Sequence, residues 1–586
     1  MKYILHYIRP YLGRMSAGLF IKFIGTITDL LLPFILAHII DEVVPTENVP
    51  MIVLWGVMMI VCSVICMAGN VIANRMASAV ARDASRALRH DLFSRTMYLS
   101  CRQVDTFTIP SLESRLTTDT YNVHHMLGMM QRLGVRAPIL LIGGIMVTAY
   151  MEPVLTLVMV AVLPFITLVV WKISAKGIPL YTQVQKAVDA MVRVVRENIQ
   201  GVRVIKALSK TDYERRRYEE VNEALVRSET KAGVTMAATN PLMTIFLNTG
   251  LTAVLFVGAF RVNAGISEPG KIMAFISYFT LISNAMMSIT RMFVMYSKGT
   301  ASANRIGEVL DIPLDLDGDA FPEKSYEDYL VFDHVTFSYN GTRDNVRDIS
   351  FSVPEGGTLG IIGATGSGKT TLLALLLRFY DVGDGAIRIG GRDIRSMDAG
   401  ELREKFGVAL QNDFIYEDSV AENIRIGRDI PMEDLRRAAE NAQAIDFIDA
   451  FEEGFDHMLT TKGTNVSGGQ RQRILIARAL AGHPEILLLD DSSSALDYKT
   501  DANLRRALRE NCTDTKATIL VAKRISAVMH CDHILVIDEG EISVPARTKS
   551  FLIPAKSTAR SRILSWEVHS NEPRRTRKAR DQWSRG

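Results

Sequence analysis

The chain has 586 residues, 48% of them apolar and 22% charged, with a formal net charge of +3. That length exceeds what one core supports, and the composition is too apolar for a wholly soluble protein and too charged for a wholly membrane-embedded one. The basic excess sits in the tail from Pro545, where eleven Lys/Arg face three Asp/Glu, so the preceding residues are net acidic and no nucleic-acid partner is expected.

The opening MKYILHYIRPYLGR is polar and lacks a small-residue cleavage site, so no cleavable leader is expected. Six apolar segments follow, at 18–40, 51–73, 133–151, 154–173, 242–262 and 272–296. Each approaches or exceeds the ~20 residues a helix needs to cross a hydrocarbon core. Six in series predict an α-helical transmembrane domain over residues 1–310. The stretch DEVVPTENVPM from Asp41 has no Lys or Arg, whereas 81–102 holds five arginines and 172–231 is densely basic. The positive-inside rule then puts both termini and the two long connections in the cytoplasm of a plasma-membrane protein. Those connections keep a helical period, so the second and third spans, and the fourth and fifth, are expected to run on as helices beyond the lipid bilayer.

Asp29 and Arg291 interrupt apolar spans, either as functional groups or as pairs inside the bundle. Methionines such as Met126, Met129, Met286 and Met292 suit an adaptable lining for apolar ligands as well as plain packing. The five cysteines show no metal-binding spacing.

At 311–328 the chain turns acidic and rich in turn residues, a linker. From 329 to 544 short β-branched runs alternate with helical stretches, the pattern of an α/β domain. TLGIIGATGSGKTT is a strand followed by G-x-x-x-x-G-K-T. The glycines Gly363, Gly366 and Gly368 let backbone N–H groups close around phosphate oxygens, helped by Thr365, Ser367 and Thr371. Lys369 reaches the β- and γ-phosphates, and the Thr370 hydroxyl suits magnesium. ILLLDD is a second buried strand, ending in Asp490 as a metal-holding acid and Asp491 as the candidate base. In VSGGQRQRILIARAL, Ser467, Gly468, Gly469 and Gln470 open a helix and make a second phosphate cradle. One P-loop has no use for two such cradles on its own nucleotide, but a head-to-tail pair of domains does.

This set of motifs resembles the ATP-binding-cassette exporters, specifically a half-transporter with one membrane domain followed by one P-loop nucleotide-binding domain. The resemblance extends to about Val544. It implies ATP and Mg2+ as cofactors and a second half-transporter as partner. It implies that Tyr339 in VTFSYNG stacks on adenine and that Gln411 contacts metal and attacking water. Asp497 would face the partner, and coupling helices would lie near 103–118 and 211–218.

Four positions in the catalytic motifs depart from the family pattern. Asp491 stands where Glu is usual, Lys523 in VAKR where His is usual, and Thr460 and Thr461 where Gly-Glu is usual. An Asp carboxylate is set back by one methylene, and ~1 Å of misplacement can cost ~100-fold in rate. A lysine donates but cannot accept in a proton relay. ATP grip is expected to survive and hydrolysis to suffer, as in the impaired site of a heterodimeric exporter of amphipathic or hydrophobic cargo. A homodimeric lipid or peptide exporter and a weakly hydrolysing gating subunit remain the alternatives. The tail of 545–586 reads as a frameshift, since out of step it can encode a peptide like the family's usual C-terminus, or as a basic arm.

Overall fold

The computed structural model describes residues 2–316, 321–324, 326–411, 413–492, 494–512, 514–543 and 553–554. The two readings of the tail, apart from its residues 553–554, fall outside them. The chain divides into two compact units, Met1–Met97 with Ile109–Ile312, and Tyr98–Thr108 with Pro313–Gly586.

The first unit is all helical. Six helices are long and apolar enough to span a membrane: Tyr3–Thr46, Val49–Met97, Ile109–Met151, Pro153–Gln200, Thr211–Asn263 and Pro269–Asp311. The two of 48 and 49 residues extend about 70 Å at 1.5 Å per residue, over twice the ~30 Å hydrocarbon core. The expected continuation of the spans beyond the bilayer is therefore present. Small residues let the helices approach closely. A Cβ on Gly25 or Gly69 would meet the other helix's backbone at 3.5 Å, and one on Gly143 would overlap Leu30 at 2.6 Å. Leu30, Leu140, Phe275, Tyr278 and Ile282 form the apolar centre, and Tyr278 Oη donates to the Leu30 carbonyl.

Two short helices interrupt the long ones. Cys101–Phe107, in the second unit, begins with a capping box in which Ser100 and Gln103 satisfy each other's backbone N–H. It ends at Thr108, whose φ of +64° breaks the helix well before residue 118. The second short helix is Val202–Ala207, upstream of the expected 211–218. Gly201 opens it, Ser209 at φ +53° turns the chain, and Thr211 already starts the next long helix. Asp212 and Glu214 in that helix's first turn favour its positive N-terminal end.

The second unit holds two sheets. β1 (Leu330–Phe337), β2 (Val346–Val353), β4 (Asp384–Ile389) and β5 (Arg392–Asp393) make an antiparallel sheet in the order β2-β1-β4-β5. β3 (Gly357–Gly363), β6 (Phe406–Ala409), β7 (Ile486–Asp490), β8 (Ala517–Val521), β9 (His533–Asp538) and β10 (Glu541–Ile542) run β10-β9-β3-β8-β7-β6, and Ile553–Pro554 pairs with β9 as a seventh strand. The five from β6 to β9 are parallel, which requires both faces covered; all five residues of β7 are buried accordingly. Their register brings the carboxyl ends level: Ala409 lies opposite Leu489, and Val521 opposite both Asp490 and Ile361. Ligands of parallel sheets bind outside those carboxyl ends.

Candidate functional site

Four parallel strands end at one edge, and each delivers a candidate residue within six positions of its end. β3 leads through 364–368 into the helix Lys369–Leu376. Gly366 (φ +84°) and Gly368 (φ +103°) hold left-handed backbone that a side chain would strain. A Cβ on Gly363 would lie 2.2 Å from the Ile537 carbonyl oxygen, and one on Gly368 would lie 2.9 Å from that of Asn345. Lys369 Nζ donates to the carbonyl oxygens of Gly363 and Ala364 at 2.9 and 2.8 Å. Burial lowers its pKa, against the carboxylate of Asp490. Ser367 is 3% exposed and its Oγ has no hydrogen-bond partner among the described residues. Thr365 lies exposed on the loop and Thr371 is buried in the helix. A helix N-terminus, a lysine and an orphan hydroxyl together fit the oxygens of a polyphosphate.

At the end of β7, Asp490 is 3% exposed and its Oδ2 receives the Thr370 hydroxyl at 3.5 Å. Burial and then the neighbouring Asp491 charge raise its pKa, while Lys369 and Thr370 oppose the rise. Hydroxyl and carboxylate are hard oxygen donors. No group of three His, Cys, Asp or Glu in metal-holding arrangement occurs among the described residues. This sparse donor set suits magnesium, which takes one or two carboxylates and completes its shell with phosphate oxygens and water.

Asp491 turns away from the strand at φ +50°, its N–H bonded to the Val521 carbonyl at 2.8 Å. One carboxylate oxygen, Oδ2, accepts from Lys523 Nζ at 2.9 Å and from Gln411 Nε2 at 3.3 Å. Lys523 follows β8 and Gln411 follows β6, so the three converge because their strands are neighbours. The other departures are also accommodated. Thr461 donates to Glu417 Oε2 at 2.7 Å, where a glutamate would meet like charge, and Thr460 shares hydrogen bonds with Thr464 and Asn465.

Ser467 caps the helix Gly468–Leu480. Its Oγ accepts from Gln470 N at 3.2 Å, and Gln470 Oε1 accepts from Ser467 N at 2.9 Å. A Cβ on Gly468 would meet nothing within 4 Å, whereas one on Gly469 would stand 3.2 Å from the Ala495 carbonyl oxygen. Asp497 caps the next helix, Tyr498–Asn511, accepting from Thr500 N and Oγ1 at 2.9 and 2.7 Å. Those hydrogen bonds lower its pKa.

Tyr339 is 42% exposed, and its ring meets those of Phe337 and Tyr380 edge-on, at 4.9 and 5.0 Å between centroids. No sequence motif singles out Tyr380. Its Oη donates to Asp105 Oδ2, on the short helix Cys101–Phe107, at 2.6 Å. Both rings line a cavity of about 950 Å³, together with Ser100, Arg102 and Asp381. The aromatic pair Phe379-Tyr380 directly after the P-loop helix was the available signal.

A six-helix membrane unit joined to a P-loop cassette with a second phosphate-binding helix defines an ATP-driven membrane transporter. The chain belongs to the ABC transporter family. It matches the ABC transporter transmembrane region over residues 15–286 and the ABC transporter domain over residues 346–494. It is 31% identical to the uncharacterized ABC transporter ATP-binding protein YfiB of Bacillus subtilis (strain 168), covering 92% of this chain and 94% of that one. It is 30% identical to the ATP-dependent lipid A-core flippase of Pseudomonas syringae pv. tomato, over 92% of each chain. Its fold is that of a bacterial Atm1-family ABC exporter solved with ATP bound, with a TM-score of 0.79 and 22% identity over 96% of this chain and 99% of that one. The chain is thus a multi-pass ABC transporter protein and an ATPase.

Proposed function

We propose that the protein exports amphipathic or hydrophobic compounds across the plasma membrane as one half of a heterodimeric exporter, and that its own P-loop site is the slow one. The observation that carries this is the contact of Lys523 and Gln411 with a single oxygen of Asp491. A general base must keep a lone pair on the attacking water. Here one oxygen of an already shortened side chain faces an ammonium and an amide, while Lys369, Ser367 and the loop N–H groups stay arranged to grip phosphate. Magnesium, held by Thr370 and Asp490 with Gln411 beside them, would neutralise phosphate charge. Tyr339 offers its exposed ring to adenine. Ser467, Gly468, Gly469, Gln470 and Asp497 would close on the nucleotide of a second half-transporter, whose own site carries the turnover.

Cys101–Phe107 and Val202–Ala207 are assigned as the coupling helices, and the charge pattern of the connections supports cytoplasmic termini. The relationship to a lipid A-core flippase supports an amphipathic cargo. The test is single-turnover hydrolysis by the purified pair with the partner's base removed. Slow hydrolysis with retained ATP binding is expected. Brisk hydrolysis would make Asp491 a competent base and end the asymmetric reading.

A further inference from the structure

Arg478 lies in the last turn of the helix Gly468–Leu480, at the far end from the cradle that Ser467 opens. Its side chain is 12% exposed, and every nitrogen of its guanidinium is engaged. Nε donates to the Asn423 carbonyl at 2.7 Å, and Nη2 reaches Asn423 Oδ1 at 3.4 Å. Nη1 donates to the Phe414 carbonyl at 3.0 Å and to Asp413 Oδ1 at 3.4 Å. Asn423, fully buried in the helix Val420–Arg425, accepts from Tyr416 N at 2.9 Å. Its Nδ2 donates to the carbonyls of Tyr416, Asp418 and Ser419 at 3.0, 3.2 and 3.0 Å. The two side chains together hold residues 413–419, the stretch that follows Gln411.

The same stretch is bound to the residues ahead of Ser467. Lys462 N donates to the Ile415 carbonyl and Leu459 N to that of Asp418, both at 2.9 Å. The Thr461 hydroxyl donates to Glu417 at 2.7 Å. The loop after Gln411 is thus fastened in front of the Ser467 helix through 459–462 and behind it through Arg478. One hydrogen-bonded body carries Gln411, 3.3 Å from the Asp491 carboxylate, and the second phosphate cradle. Apolar packing alone would let these segments slide. A planar guanidinium forked onto several acceptors fixes both distance and angle, and leaving a buried acceptor unmet is costly.

We infer that Arg478, with Asn423, is a positioning residue for ATP hydrolysis. It ties the cradle of Ser467, Gly468 and Gly469 to the loop of Gln411, so that occupation of this chain's own site sets the cradle offered to the partner's nucleotide. The inference rests on the reading that this cradle serves a second chain. A slow site that keeps its ATP then holds the cradle steady while the partner's site turns over.

The test is a double-mutant cycle on the ATPase of the assembled full-length pair, crossing Gln411→Ala with Arg478→Lys. Lysine keeps the charge but cannot fork onto the same acceptors. Each single change is expected to lower turnover about tenfold, as sub-ångström misplacement does, and the double change no further. ATP binding at this chain's own P-loop, read by fluorescent-nucleotide titration, should stay within a few-fold in Arg478→Lys, which separates a lost tie from lost folding. Where the lysine variant does not assemble, the cycle is run with Asp413→Asn, which removes only the carboxylate contact and should give a smaller, equally non-additive loss. Losses that multiply to about 100-fold in the double variant overturn the inference, as does wild-type turnover in either single variant. Gly469→Asp is read alongside. Its collapse together with multiplying losses removes the tie alone, whereas robust turnover in Gly469→Asp removes the reading that the cradle serves a partner, and the tie with it.

Discussion

Lys523 Nζ and Asp491 Oδ2 stand 2.9 Å apart, an ion pair in which the aspartate is 12% exposed and the lysine 49%. The pair joins the ends of β7 and β8 at the edge where phosphate chemistry would occur. If it is a lock rather than a catalytic dyad, Asp491→Asn should leave the steady-state ATPase of the pair within a few-fold of wild type. Removing the partner's base should cost on the order of 100-fold. The double change Asp491→Glu with Lys523→His should raise single-turnover hydrolysis at this site, measured with the partner's base absent. A wild-type rate in the double variant would show that these two positions do not set the speed.

Lys369→Ala should weaken ATP binding to this chain by roughly 10- to 100-fold, the worth of charge-assisted hydrogen bonds to phosphate. Fluorescent-nucleotide titration of the full-length chain reads the loss. Unchanged affinity would contradict the assignment of the cradle.

Gly469→Asp brings a carboxylate to the N-terminus of the helix Gly468–Leu480 and also crowds the Ala495 carbonyl. ATPase activity of the assembled pair should fall at least about tenfold, through like-charge contact with the partner's nucleotide. ATP binding at this chain's own P-loop should persist. Robust turnover would exclude this helix from the productive site.

Asp490 gives a pH-dependent prediction. Its folded-state pKa lies above the ordinary 3.8, through burial and the Asp491 charge, so the folded chain holds a proton more tightly than the unfolded one. Its ionisation therefore lowers stability as pH rises from 3.8 through the raised value, and the full deficit is present above it. Asp490→Asn should melt a few degrees higher than wild type at pH 7 without nucleotide, the gap closing as the pH approaches the ordinary carboxylate range. The same variant should lose magnesium-dependent stabilisation by ATP. A thermal-shift series across pH, with and without magnesium-ATP, reads both effects.

Tyr380→Phe removes one hydrogen bond, the 2.6 Å contact to Asp105 on the helix Cys101–Phe107. If that helix couples the cassette to the membrane unit, cargo stimulation of the ATPase should shrink while basal turnover and ATP affinity hold. Comparing stimulated with basal rates at saturating ATP separates the two.

The long features were legible in the sequence because their signals are long. Six apolar runs, the glycine spacing before Lys369 and the apolar approach to Asp490 each specify a segment without reference to distant residues. Contacts between segments were not legible. Lys523 and Asp491 lie 32 positions apart, and Tyr380 and Asp105 lie 275 apart. Only the strand order makes the first pair adjacent, and no periodicity encodes strand order. The second short helix was not legible for a related reason. Val202–Ala207 is six residues long, less than two turns, too short to show a period, and its limits are set by Gly201 and by the left-handed Ser209.

The reciprocal bonds between Ser467 and Gln470 bear on the speed of association. Because the helix supplies its own cap, its first turn is ordered before any nucleotide arrives, and docking of a partner's ATP need not first freeze a floppy loop. The rate at which two cassettes join should then follow their diffusional encounter and ionic strength more than any slow rearrangement. A Gln470→Ala chain, deprived of half the cap, should instead show closure limited by a unimolecular step that does not speed up with protein concentration.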